Sequence, residues 1–403
     1  MSGFMPKFTS ISHGAASARP RAGRRASPAW LLALALLLTG PPLAVQAAAA
    51  RERPLVRKPV AKKPAPTGQR KAAPNKPVRS DHEPDLVTYG RRDDAMQLAD
   101  TLAERHGLDA DWTRAQLAQA RYLPVVARLI MPPPAGTAKN WAAYRARFIE
   151  PERVRAGIAF WDAQARWLDA AEQRYGVPAS VVVGIVGVET FYGRVTGNFR
   201  VLDALATLSL DFPKGRKDRS EFFRDELGQF LRLAATEQLA TTAVKGSFAG
   251  AIGLGQFMPG SINRFAVDFD GDGHIDMAND PADVIGSVAH YLAEHGWQRG
   301  LPTHHAIKPP VDTADRAALL APDILPSFTP AQMAGRGAAL DEAGAAGAGP
   351  LALVELQNGD AAPSYIAGTQ NFYAVTRYNW SSYYALAVIE LGQAVASARA
   401  ASR

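Results

Sequence analysis

"GIVGVETFYG", residues 184–193, sets one carboxylate, Glu189, among residues that are otherwise small, apolar or aromatic. A carboxylate kept charged in such company forfeits several kcal/mol of hydration, of the order of ~2–7 kcal/mol for a polar group. Either the core satisfies it with hydrogen bonds, or its surroundings raise its pKa and keep it as a working acid. Just upstream, Gly176 and Pro178 close one helix and open the next. With 179–192 helical, Val182, Ile185 and Val186 share the stripe of Glu189, while Gly184 and Gly187 leave room for a second backbone. A carboxyl on that face is partly desolvated, which suits general-acid work. Taken alone, a structural carboxyl explains the pattern at least as well.

Working outward, helical periodicity dominates residues 84–300. "DDAMQLADTLAERHG" (93–107) and "DADWTRAQLAQARY" (109–122) repeat apolar residues at three- and four-residue spacing. Residues 150–178 read as one long amphipathic helix, and 220–238 as another with an N-cap serine and first-turn acids. Residues 301–349 are Gly/Ala/Pro-rich and weakly periodic, so a loose segment is expected there. Short Val, Leu, Ile and Tyr runs around an "NGD" turn make 350–379 a small β element. A closing helix over 380–403 is expected to pack on the helical domain. The fold class is α+β, mainly α.

The N-terminal residues have a different character. Arg19, Arg21, Arg24 and Arg25 precede the apolar run "AWLLALALLL" (29–38), Pro41 and Pro42 break it, and "VQA" (45–47) offers small residues for cleavage. The run is short for a bilayer span, so residues 1–47 read as an export signal and the protein as periplasmic. Residues 48–83 are rich in Pro, Lys and Arg and read as an extended tether, suited to weak electrostatic association with wall or membrane, or to spacing alone. The chain's net charge of +7 divides into +14 on residues 1–80 and −7 on 81–403. An acidic folded part excludes a nucleic-acid-binding domain. With no cysteine the chain has no disulfide and no acylation site of the lipoprotein type.

Two further motifs carry chemistry. Residues 246–262 form a Gly-rich stretch in which Ser247 and Gln256 are the strong hydrogen-bonding side chains, and no Lys-Ser/Thr follows the glycines as a phosphate loop requires. One amide on a close-approaching backbone suits a neutral polar ligand such as a sugar acetamido group. Asp268, Asp270, Asp272, Gly273, His274 and Ile275 then give D-x-D-x-D-G-x-I, the opening of a calcium loop, with the His274 carbonyl as a further ligand. Position twelve is Asn279 where a bidentate glutamate is usual, so Asp280 or Asp283 must close the shell. Aromatic clusters at 140–148, 289–297 and 371–384 suit stacking on pyranose rings, and serve equally as core.

Together, "YGVPASVVVGIVGVETFYGRVTGN", "LDALATLS", "AGAIGLGQFMPGSI", "DFDGDGHID" and "FYAVTRYN" resemble, in order, the signature blocks of the membrane-bound lytic murein transglycosylase B family. The resemblance covers roughly 85–300 and 365–396 and is weak between. It implies a lysozyme-like core with a helical domain and a small β domain, acting on peptidoglycan glycan strands without water to leave 1,6-anhydro ends. It implies Glu189 as the catalytic acid and base, with Ser247 and Gln256 orienting the substrate. Tyr144, Tyr291, Tyr378, Asn379 and Tyr384 would line the groove, and Arg219 would meet a peptide or acidic group. Asp268, Asp270, Asp272, His274 and Asp283 would hold one structural Ca²⁺. Where the family carries an arginine pair, this chain has Asp218–Arg219. Other cell-wall enzymes are candidate partners. A hydrolytic muramidase and a non-catalytic peptidoglycan-binding scaffold remain the alternatives.

Overall fold

The helix Ala179–Thr190 is apolar all round, as only a helix covered on every side can be. The computed structural model, which describes residues 88–132 and 139–403, places it at the centre of the core. The C-terminal helix Ser382–Ala401 runs along it. A Cβ on Gly184 would meet the Val388 carbonyl oxygen at 2.2 Å, and one on Gly392 would meet that of Ser180 at 2.0 Å. The two glycines therefore let the helices touch backbone to backbone, and Gly184 has its expected second backbone. The closing helix thus packs on the Glu189 helix itself, and not only on the helical domain.

The single helix expected over 150–178 is two, Pro151–Ala163 and Ala165–Tyr175, broken at Gln164. The bend gives each half its own partner: the first lies on the C-terminal helix, the second on Pro281–Glu294. Asp93–His106, ended by left-handed Gly107, packs on Ala110–Ala118, capped by Asp109, and on Ser220–Thr236, which in turn lies on Val201–Leu210. Ser220 is the first helical residue and not the cap. Asp218 covers that end instead, its carboxylate accepting the Ser220 N–H at 2.8 Å.

Residues 301–349 are ordered, contrary to the expected loose segment. They hold strand His304–Lys308, helices Thr313–Leu320 and Pro330–Gly335, strand Ala339–Leu340 and helix Glu342–Ala346. Each helix is started by a side-chain cap from Asp312, Thr329 or Asp341, so caps and not a long periodicity define it. The sheet is antiparallel in the order Ala339–Leu340, His304–Lys308, Ala361–Gly368, Ala352–Asn358, with the hairpin turning at the "NGD" of 358–360. Leu319, Met333, Leu351, Leu353 and Ala367 form its separate small core. The β element ends at Gly368, because Thr369 caps a helix, Gln370–Tyr378, where strand had been expected to continue. The export signal and tether lie outside the described residues. Among the described residues no helix is long and apolar enough to cross a membrane.

Candidate active site

Glu189 is the penultimate residue of its helix, and the chain behind it reverses sharply. Phe191 and Tyr192 both take left-handed backbone conformations, with φ of 53° and 56°. Such a pair is strained for non-glycine residues, at about 1 kcal/mol or more each, and needs outside support. Thr190 supplies it. Its hydroxyl accepts the Gly193 N–H at 3.0 Å and donates to the Leu254 carbonyl at 2.9 Å, tying the turn to the Gly-rich loop. Arg153 and Arg194 each lie over the Phe191 ring at 4.5 Å.

Tyr384, on the helix packed against that of Glu189, donates its hydroxyl to Glu189 Oε1 at 2.6 Å. Tyr378 lies parallel to Tyr384, with ring centroids 6.4 Å apart and 10° between planes, and donates to the Gly255 carbonyl at 2.5 Å. Burial pushes the Glu189 carboxyl up to about 8, with the Tyr384 hydrogen bond opposing the rise. Among the described residues no other carboxylate contributes to that shift. The phenols of Tyr144, Tyr378 and Tyr384 are themselves pushed up by burial and then by the Glu189 charge. Three of the expected groove tyrosines therefore surround the acid. Tyr144 continues outward into a cluster with Trp141 at 6.3 Å and Tyr383 at 5.9 Å.

A buried carboxyl need not be a working one. Glu226 is raised by burial to about 7, yet it accepts the Gly260 N–H at 2.8 Å and closes the start of helix Pro259–Phe265. What distinguishes Glu189 is its company of phenols, and a residue surface that stays partly open.

The Gly-rich loop brings Gln256 in with a left-handed φ of 51°. Its Nε2 donates to the carbonyls of Thr196 (3.0 Å) and Gly253 (2.8 Å), leaving its carbonyl oxygen without a partner among the described residues. Ser247 is turned into the loop, where its Oγ accepts the Ala251 N–H at 3.0 Å, so it shapes the loop from within. Asn379 is buried next to Tyr378 with Oδ1 unpaired. Tyr291 stands behind, its hydroxyl donated to the Arg377 carbonyl at 2.7 Å and its ring against Tyr378. Its hydroxyl is thereby spent within the fold, and its ring supports Tyr378. Arg219 belongs to another cluster, stacked on Phe222 at 4.6 Å with both terminal nitrogens unpaired, and burial lowers its pKa. Thr190, Trp141 and Tyr383 carry no individual signal in the sequence. The position of Thr190 directly after Glu189 is the one clue available there.

At the calcium loop, ligand oxygens of Asp268, Asp270 and Asp283 lie within 4.8 Å of one another. All are hard carboxylate oxygens, the donor set that Ca²⁺ prefers. Asp283 is buried and braces both ends of the loop, accepting the N–H of Phe269 at 2.7 Å and of Asp276 at 2.8 Å. Asp280 is committed elsewhere, as the cap of Pro281–Glu294. Asn279 turns its amide to Asp276 at 3.0 Å. Asp272 lies outside that converging set of three, and its Oδ1 accepts the His274 N–H at 2.8 Å. The His274 side chain is exposed and leans to Glu237 at 3.7 Å.

Residues 91–393 match the family described as Transglycosylase SLT domain. The chain is 40% identical over 333 residues to Membrane-bound lytic murein transglycosylase B of Escherichia coli (strain K12), covering 77% of this chain and 85% of that protein. The chain belongs to the SLT family of lytic murein transglycosylases. Two solved structures sharpen the comparison. The Escherichia coli lytic transglycosylase Slt35 in complex with calcium superposes with a TM-score of 0.66 at 40% identity, over 80% of this chain and 99% of that one. SltB3 of Pseudomonas aeruginosa, solved with NAG-anhNAM-pentapeptide, superposes with a TM-score of 0.63 at 32% identity, over 74% and 78%. The expected lysozyme-like transglycosylase fold is therefore the fold of this enzyme.

Proposed function

We propose that this transglycosylase cleaves the β-1,4 bond between N-acetylmuramic acid and N-acetylglucosamine with Glu189 as both acid and base, and without water. The observation that carries the reading is the isolation of Glu189: a carboxyl raised to about 8 by burial, with no second carboxylate contributing among the described residues. Hydrolytic glycosidases use two carboxylates about 5–10 Å apart. One protonated acid suits a reaction in which the substrate provides the nucleophile. Tyr384 occupies Oε1, so the proton delivered to the glycosidic oxygen comes from Oε2. The C1–O bond to the leaving sugar breaks, the muramic C6 oxygen bonds to C1, and the C6 hydroxyl proton returns to Glu189. The substrate's 2-acetamido oxygen stabilises the cation at C1, with Gln256 orienting it. Tyr144, Tyr378, Asn379 and Tyr384 line the glycan path, Tyr291 backs it, and Ser247 acts through the shape of the loop. Arg219, with its unpaired nitrogens, offers an anion contact.

Asp268, Asp270 and Asp283 would hold one structural Ca²⁺, joined by the His274 carbonyl; bound there, the ion would offset most of the charge of three converging carboxylates. Residues 1–47 would direct export to the periplasm. The test is digestion of purified peptidoglycan by wild type and Glu189→Gln, with mass spectrometry of the released muropeptides. Products lighter by one water, absent with the variant, are expected; hydrated reducing ends would make the enzyme a muramidase, and binding without release a scaffold.

A further inference from the structure

A second cleft, of about 670 Å³, lies between the C-terminal end of helix Ser220–Thr236 and the outgoing arm of the calcium loop. Its volume is that of a ligand site. It shares backbone with the active site, since it is lined by Thr196 and Gly253, the two residues whose carbonyls hold the Gln256 amide. The contact is close: a Cβ on Gly253 would meet the Met277 carbonyl oxygen at 1.6 Å.

The lining differs in kind from that of the glycan groove. Leucine, valine, isoleucine and methionine form the walls, and no Phe, Tyr or Trp ring is among them, so there is no platform for a pyranose. At the rim the polar groups divide into spent and free. Asp276 is saturated by the N–H groups of Ala278 and Asn279 and the Asn279 amide. Lys245 is exposed and makes no ion pair among the described residues. Glu237 meets Ile275 N–H at 3.4 Å and the His274 ring at 3.7 Å, both at Oε2, so Oε1 has capacity to spare. One free ammonium and one under-used carboxylate above an aliphatic floor complement a short peptide bearing both a carboxylate and an amine.

We propose that this cleft receives the peptide branch of the murein strand whose glycan passes Gln256, with Lys245 taking a peptide carboxylate and Glu237 a peptide amine. The inference rests on the peptidoglycan reading of the groove. Wild type, Lys245→Met and Glu237→Gln are compared on peptide-bearing glycan strands and on strands stripped of peptide. The kcat/KM ratio between the two substrates should fall about tenfold in each variant, the loss of a charge-assisted contact. An unchanged ratio overturns the proposal, as does an equal loss on both substrates. Calorimetric binding of a peptide-bearing muropeptide to the Glu189→Gln protein, with and without Lys245→Met, decides the cleft independently of turnover. Weakening is expected, and equal affinity would refute it. The product ends in the same digests, anhydro or hydrated, report on the reaction alone, so a failure of the transglycosylase chemistry and a failure of the cleft are told apart.

Discussion

The groove and the calcium loop use carboxylates in opposite ways. At the loop three of them converge within 4.8 Å, two exposed and one buried, an arrangement whose mutual repulsion a bound cation would relieve. In the groove Glu189 stands without another carboxylate shifting it, its one strong partner the neutral phenol of Tyr384. Crowding favours the ionised form only with a metal bound, while at Glu189 burial favours the protonated form. The fold thus sorts the same functional group into a metal ligand and a proton donor by neighbours alone.

The largest expected effect breaks the groove side of that comparison. Glu189→Gln keeps the shape and removes the proton, and should lower kcat by about a thousandfold or more, the usual scale for general acid–base catalysis. The same change should stabilise the fold above neutral pH. The folded carboxyl, at about 8, lies above its unfolded value, so stability is lost as pH rises from the unfolded value through about 8. The melting temperature of the variant should match wild type near pH 4 and exceed it at pH 8.5, by a margin equivalent to roughly 2–4 kcal/mol. Wild-type turnover should fall across the same alkaline range, because the acid must be protonated to act.

The loop side is tested by Asp270→Asn. Asp270 is exposed and accepts one 3.2 Å hydrogen bond, from Asp272 N–H, so the calcium-free protein should melt as before. Wild type should gain about 2.7 kcal/mol at a calcium concentration a hundredfold above Kd, and the variant much less. Thermal unfolding with calcium and with chelator gives both values. Equal calcium shifts in the two proteins would remove Asp270 from the ligand set.

Much of this was legible in the sequence, and what was missed has a common cause. Glu189, the calcium loop and the Gly-rich stretch are local patterns, in which few residues fix both geometry and chemistry. Gly184 could be read as a place of close approach, but not that its neighbour is Val388, because the partner lies some two hundred residues away. Long-range choices likewise decided Tyr291, which looks like its aromatic neighbours in sequence yet spends its hydroxyl on the Arg377 carbonyl. Residues 301–349 misled for another reason. Their helices span one or two turns, too few for a periodicity, and the cap residues Asp312, Thr329 and Asp341 were the signal to follow.

Tyr384→Phe sharpens the comparison by changing only the company Glu189 keeps. The phenol stabilises the ionised carboxylate, so its loss should raise the Glu189 pKa further and move the alkaline limb of the kcat profile upward. Turnover should fall about tenfold, because Oε1 loses its anchor and a carboxyl of higher pKa gives its proton to the leaving oxygen less readily. A lower alkaline limb would mean that the phenol does not support the ionised form.

The smallest effect belongs to Thr190, which holds the acid by way of the backbone. From Glu189 a circuit runs through Tyr384, across to Tyr378, to the Gly255 carbonyl, along the loop to Leu254, and back through the Thr190 hydroxyl. Thr190→Val opens that circuit at one bond and leaves the Leu254 carbonyl and Gly193 N–H each short of a partner. The stability cost should be about 1–3 kcal/mol. Turnover should fall roughly threefold to tenfold with KM little changed, since the loop and the acid lose their common fixture while the glycan-lining tyrosines stay in place. Thr190→Ser restores the hydroxyl without the methyl and should recover kcat. Were Thr190→Ser as slow as Thr190→Val, the hydroxyl alone would not set the turn and the methyl group would share in it; were Thr190→Val as fast as wild type, the acid would be held from the Tyr384 side alone.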